Sequence, residues 1–189
     1  VADAFRGAGD QVYRIDIETK EVTIFVPNNY LGVNTLNNPR GVSFGPNGNC
    51  FVAARNNQAV FEFDGTTGTY VGTFADQTYI SSPQDLLWVG DKLLVVYTGN
   101  GGGIAQFNAD GSFDKQVLNE GLGGPPVLFT LGVVNGQIYA VGYTGNGVYR
   151  VDDPGTITKV TPDSGEGALN LPNRMFVLLG EDYYQRANN

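Results

Sequence analysis

Pro39-Arg40-Gly41-Val42-Ser43-Phe44-Gly45-Pro46-Asn47-Gly48-Asn49-Cys50-Phe51-Val52-Ala53-Ala54-Arg55-Asn56-Asn57-Gln58-Ala59-Val60-Phe61-Glu62-Phe63-Asp64 is the stretch on which the reading of the fold turns. Its apolar runs are of strand length and are punctuated by Gly, Pro and Asn. Asn47-Gly48 is the pair a tight hairpin needs, because its central residues require positive φ. Strands are therefore expected over 41–45, 49–54 and 59–64, with a fourth just beyond at 70–74. The first two are nearly continuously apolar and read as covered on both faces. The third alternates, with Phe61 and Phe63 set against Val60, Glu62 and Asp64.

Working outward, the closing apolar–x–apolar–Asp/Asn phrase recurs around Asp16, Asp64, Asn108 and Asp152, which are 48, 44 and 44 positions apart. Turn pairs keep the same beat at Asn47-Gly48, Gly90-Asp91, Asn135-Gly136 and Glu181-Asp182. A third marker, Tyr97-Thr98-Gly99-Asn100-Gly101, returns as Tyr143-Thr144-Gly145-Asn146-Gly147. Three markers on one period of about 45 residues define an internal repeat. Two further copies place strands at 85–89, 92–97, 104–108 and 113–118, then at 129–134, 138–143, 148–152 and 157–161.

Four short strands per repeat predict an all-β chain, a β-propeller of four-stranded antiparallel blades. Three blades fall at 39–76, 83–118 and 127–161, and a fourth combines 1–26 with 172–189. The chain opens inside a second strand at Val1-Ala2-Asp3 and ends with a first strand at 174–179 and a second at 183–187. These pieces fit either a closed four-bladed ring or a section of a six- or seven-bladed propeller. The absence of an initiator Met points to a processed or truncated product.

The quoted stretch resembles an NHL-repeat blade: a Pro-x-Gly-apolar opening, an Asn-Gly-Asn turn, an apolar strand, an Asn-rich loop and the apolar–x–apolar–Asp close. Val1-Ala2-Asp3 with Tyr13 to Asp16 resembles the second half of another such blade. The resemblance is sharpest over 39–64 and implies a scaffold. The architecture also resembles gluconolactonase-type propellers, which implies a divalent cation held at the channel mouth by Glu, Asn and Asp. The residues opening each first strand here are Arg40-Gly41, Gln84-Asp85, Phe129-Thr130 and Arg174-Met175. Asp85 alone is anionic, so the acidic ligand positions of that pattern are empty.

Composition narrows the chemistry. With 27 Gly, 10 Tyr and 11 Phe in 189 residues, the chain is rich in turn formers and strand formers. It has no histidine, which excludes Ser-His-Asp and Cys-His catalysis and histidine-based metal sites. No Gly-Lys-Ser/Thr phosphate loop is present. A net charge of −8, with 11 scattered Lys and Arg, argues against nucleic acid. The longest apolar runs, such as 86–89 and 93–97, are too short to span a membrane as a helix. Cys50 is the only cysteine, forms no internal disulfide and reads as a core residue. No Asn-x-Ser/Thr glycosylation sequon occurs.

Candidate binding residues are Arg40, Gln84, Asp85 and Arg174, a polar ring able to grip a carboxylate or peptide. The competing reading has Arg40 and Asp85 pairing across the mouth and satisfying backbone carbonyls. Tyr183 and Tyr184 are an interface candidate, with edge-strand packing as the alternative. Trp88, Tyr97, Tyr139 and Tyr143 are expected to fill space between blades. The closing Asp and Asn residues and the Thr-Gly-Asn-Gly loops read as turn chemistry. Longer loops at 28–38 and 161–172 hold no motif. The expected function is a non-enzymatic interaction module, an acidic scaffold that binds a protein or glycan partner through its loops. Its expected setting is an extracellular or surface assembly. The alternative is a metal-dependent lactonase or related hydrolase. No cofactor or metal is assigned, and calcium is the one ion the residue set leaves open. Oligomeric state and compartment stay open too.

Overall fold

The computed structural model describes residues 2–3, 9–29, 36–119, 127–142, 145–152 and 155–162. Among the described residues all regular structure is β-strand, in four antiparallel meanders. The first comprises β1 (Ala2–Asp3), β2 (Gln11–Ile15) and β3 (Val22–Val26). The second comprises β4 (Pro39–Phe44), β5 (Cys50–Ala54), β6 (Ala59–Phe63) and β7 (Tyr70–Ala75). The third is β8 (Pro83–Val89), β9 (Lys92–Tyr97), β10 (Gly103–Asn108) and β11 (Phe113–Asn119). The fourth is β12 (Leu128–Val134), β13 (Gln137–Gly142), β14 (Gly147–Asp152) and β15 (Thr156–Lys159). The twelve strands expected over 41–161 are all found, with no end displaced by more than two residues. The strands expected at 174–179 and 183–187 lie outside the described residues. No helix of the described residues is long and apolar enough to cross a membrane.

The sheets stack face to face. β4 packs on β8 and β8 on β12, so each sheet contributes its first strand to a shared inner seam. Alternation along β5 sends Phe51 and Ala53 into the core shared with the third sheet, and Cys50, Val52 and Ala54 into the core shared with the first. A third core joins Leu94, Val96 and Ile104 to Leu128, Leu131 and Tyr149. Between the second and third sheets Phe51 meets Phe74 at 4.9 Å and Trp88 at 5.0 Å, both edge to face. Such pairs add to the area they bury.

Two expectations are corrected. β6 was expected to be half-covered, yet Val60 is fully buried on one face while Phe61 and Phe63 are buried on the other. A sheet with neighbours on both sides has no solvent face; only Glu62 is half-buried there, accepting from Nδ2 of Asn47 and Asn49. The Asn47-Gly48 pair is also not a two-residue hairpin. Register joins Phe44 to Cys50, leaving 45–49 as a longer loop in which only Gly48 has positive φ, at 81°. Pro46, fixed at negative φ and lacking an N–H, prevents the shorter closure. Asn135-Gly136 does form the expected turn, with φ of 50° and 78°.

The repeated Asp residues serve turns. Asp16 Oδ1 accepts the amides of Glu18 and Thr19, and Asp64 Oδ1 accepts those of Thr66 and Thr67. Asn108 and Asp152 depart from this pattern. Asn108 donates to Ser112 Oγ, and Asp152 holds Arg150 and Thr158. Asn100 and Asn146, at equivalent points of the Thr-Gly-Asn-Gly loops, have φ of 54° and 47°.

Candidate binding rim

The inner strands β4, β8 and β12 begin at one end of the stack, and each carries a bulge at the same step. In β8, Pro83 pairs with Tyr97 and Asp85 with Val96, so Gln84 is the extra residue. In β12, Leu128 pairs with Gly142 and Thr130 with Val141, so Phe129 is extra. In β4, Pro39 pairs with Ala54 and Val42 with Val52, so Arg40 and Gly41 face Ala53 together. A bulge bends its strand and re-aims its side chains. Arg40, Gln84 and Phe129, three of the positions that open the inner strands, therefore sit at bulges.

Around this step three sheets meet. The half-buried Asp85 carboxylate accepts Thr130 Oγ1 and, at 3.2 Å, the Leu131 amide. Its Oδ1 lies where a Cβ on Gly41 would come within 2.7 Å. Gly41, Asp85 and Thr130 are thus one contact row across β4, β8 and β12. Gln84 is 5% exposed, and its Nε2 donates to Ser82 O and Thr98 Oγ1, both at 3.0 Å. It ties down its own loop. Arg40 is half-buried beside Gly41. Arg174, Tyr183 and Tyr184 lie outside the described residues.

The loops flanking the rim are bonded to one another. After β5, the Arg55 amide donates to Asn38 O at 3.1 Å and the Asn56 amide to Asn37 O at 3.2 Å. After β9, the Thr98 amide donates to Ser82 O at 3.2 Å and the Gly99 amide to Ser81 O at 2.8 Å. Asn37 N donates to Asn57 Oδ1, and Asn56 Nδ2 to Asn37 Oδ1. Ser81 Oγ reaches Gln58 Oε1 across the second and third sheets, and Asn38 N reaches Asp10 Oδ1 across the first and second. Asn38 and Ser82 both hold positive φ, 56° and 53°, immediately before a proline. Such backbone is strained in a non-glycine residue and persists only where its surroundings fix it.

Sequence reading missed Arg55 and Asn38. Their signal was positional: Arg55 is the first residue after β5, opposite Asn38, at the same end as Arg40. Among the described residues, no three His, Cys, Asp or Glu side chains are grouped so as to hold a metal ion. A cleft of about 280 Å³ between the first and second sheets, lined by Val12, Ile15, Phe25, Val42, Phe44 and Cys50 among others, lies toward the opposite strand ends.

Solved structures of known proteins share this architecture. A chain of a nidogen/laminin complex matches at TM-score 0.60 and 18% identity, over 76% of this chain and 51% of that one. The fold is a β-propeller. Virginiamycin B lyase from Staphylococcus aureus matches at TM-score 0.57 and 18% identity, over 79% of this chain and 48% of the lyase. A gluconolactonase from Xanthomonas campestris matches at TM-score 0.54 and 16% identity, over 70% and 41% respectively. The chain spans about half the length of these propellers or less. No protein-family model matches the sequence, and no curated protein matches it either.

Proposed function

We propose that the protein is a non-enzymatic interaction module that engages a protein or glycan partner through the rim where β4, β8 and β12 begin, within an extracellular or surface assembly. The observation that carries this reading is the network tying the rim loops together, from Asp10 and Asn37 through Asn57 and Gln58 to Ser81 and Gly99. Loops already held in place lose little further freedom on binding, so contact energy is not consumed in ordering them. Carboxamides and hydroxyls also match the alternating donors and acceptors of peptide backbone and sugar hydroxyls. The nidogen/laminin neighbour is a protein assembly, whereas the lyase and the gluconolactonase are enzymes. At this identity the likeness does not choose between them.

The test is binding of the purified chain to an immobilised panel of secreted proteins and glycans, with EDTA throughout. Saturable binding of a panel member in EDTA is the expected result. Hydrolysis of glucono-δ-lactone that needs a divalent cation and stops with EDTA would overturn the proposal in favour of a lactonase.

A further inference from the structure

We propose that Arg55, opposite Asn38, anchors a carboxylate of the partner, either an acidic side chain or a free C-terminus. This rests on the interaction-module reading and names the chemistry at its centre. The repeat supplies an internal comparison. Pro39 pairs with Ala54 as Pro83 pairs with Tyr97, so Asn38 and Arg55 occupy the positions that Ser82 and Thr98 hold one sheet on. Arg40 likewise stands where the third sheet has Gln84. The backbone is the same in both copies, the Arg55 amide on Asn38 O at 3.1 Å and the Thr98 amide on Ser82 O at 3.2 Å.

The side chains differ. In the third sheet they close on themselves: Gln84 Nε2 donates to Ser82 O and Thr98 Oγ1, and Thr98 Oγ1 donates to Ser82 O at 3.3 Å. In the second sheet the corresponding groups are two guanidiniums and a carboxamide. Guanidiniums carry only donors and cannot satisfy one another. Arg55 Nε and Asn38 Oδ1 are shut off from solvent, and among the described residues neither has a hydrogen-bond partner. The half-buried Arg55 guanidinium forms no ion pair among the described residues. The fold does not require this, because the same backbone one sheet on satisfies its polar groups internally.

Nη1 and Nη2 of Arg55 are not shut off in this way, so an occupant that reaches them must bring acceptors. A carboxylate does so, because its two coplanar oxygens fit the guanidinium fork.

The experiment follows the arginine Nε–Hε signals of the full chain by ¹H–¹⁵N NMR, with Arg55 assigned through R55K. Sodium acetate is titrated against sodium chloride at matched ionic strength. The expected result is a saturable shift of the Arg55 signal with a millimolar dissociation constant, as suits a single small carboxylate. Saturation should disappear in R55Q. R55Q should melt no lower than the parent, since the guanidinium makes no hydrogen bond or ion pair among the described residues. A linear shift equal to that in chloride, or saturable acetate binding that survives R55Q, would overturn the proposal. If acetate saturates at Arg55 but no panel member binds, the interaction-module reading fails and the site stands. If panel binding survives R55Q, the carboxylate anchor falls and the reading stands.

Discussion

At the residue scale the inner seam leaves no room at Gly41. A Cβ there would come within 2.8 Å of Asp85 Cα and 3.0 Å of Leu86 N, and backbone cannot rotate away as a side chain can. Gly41→Ala should therefore cost about 1–3 kcal/mol, as overpacking does, measured by denaturant unfolding. Cys50 is fully buried, and burial pushes its thiol up to about 11. It should resist a disulfide reagent at pH 8 in the native state and react once unfolded, because the thiolate is the reactive form. Cys50 was legible as a core residue from its apolar run. Arg55 was not, because a charged residue in an Asn-rich loop looks solvated until register shows that it faces Asn38.

At the scale of the element, the repeated Asp turns give a pH signature. The Thr67 amide and hydroxyl, then the Thr66 amide, hold the Asp64 carboxyl below its ordinary range. A folded value below the unfolded one stabilises the fold above about pH 3.9, and the stabilisation is lost as pH falls through the folded value. Asp64→Asn keeps an oxygen acceptor but cannot ionise. The gap in thermal midpoint between the parent and D64N should hold steady above about pH 5 and close on further acidification. Strand positions were legible because period and punctuation agree over 41–161. The bulges were not, since Gln84 and Phe129 break register without breaking the apolar pattern. The 45–49 loop departs from the two-residue hairpin that Asn47-Gly48 signals, because Pro46 lacks an N–H and lengthens the connection.

At the scale of the whole molecule, aromatic side chains fill the space between sheets. Phe51, beside Phe74 of its own sheet, meets Trp88 of the third, so Phe51→Ala should cost about 3–5 kcal/mol by denaturant unfolding. The sheet-on-sheet stack was legible in the runs at 49–54 and 92–97, which are apolar on both faces. The proposed rim was legible only in part. Arg40, Gln84 and Asp85 do gather at one rim, but Gln84 is turned inward to Ser82 and Thr98. The central claim is that this rim is the face a partner meets. It is tested most directly by comparing two variants for binding to a panel member captured in EDTA. One is Asn56→Ala with Arg55→Gln at the rim, and the other is Asn47→Ala with Thr67→Ala at the far strand ends. The account predicts at least tenfold weaker binding for the rim variant and unchanged binding for the other. The reverse pattern would contradict it.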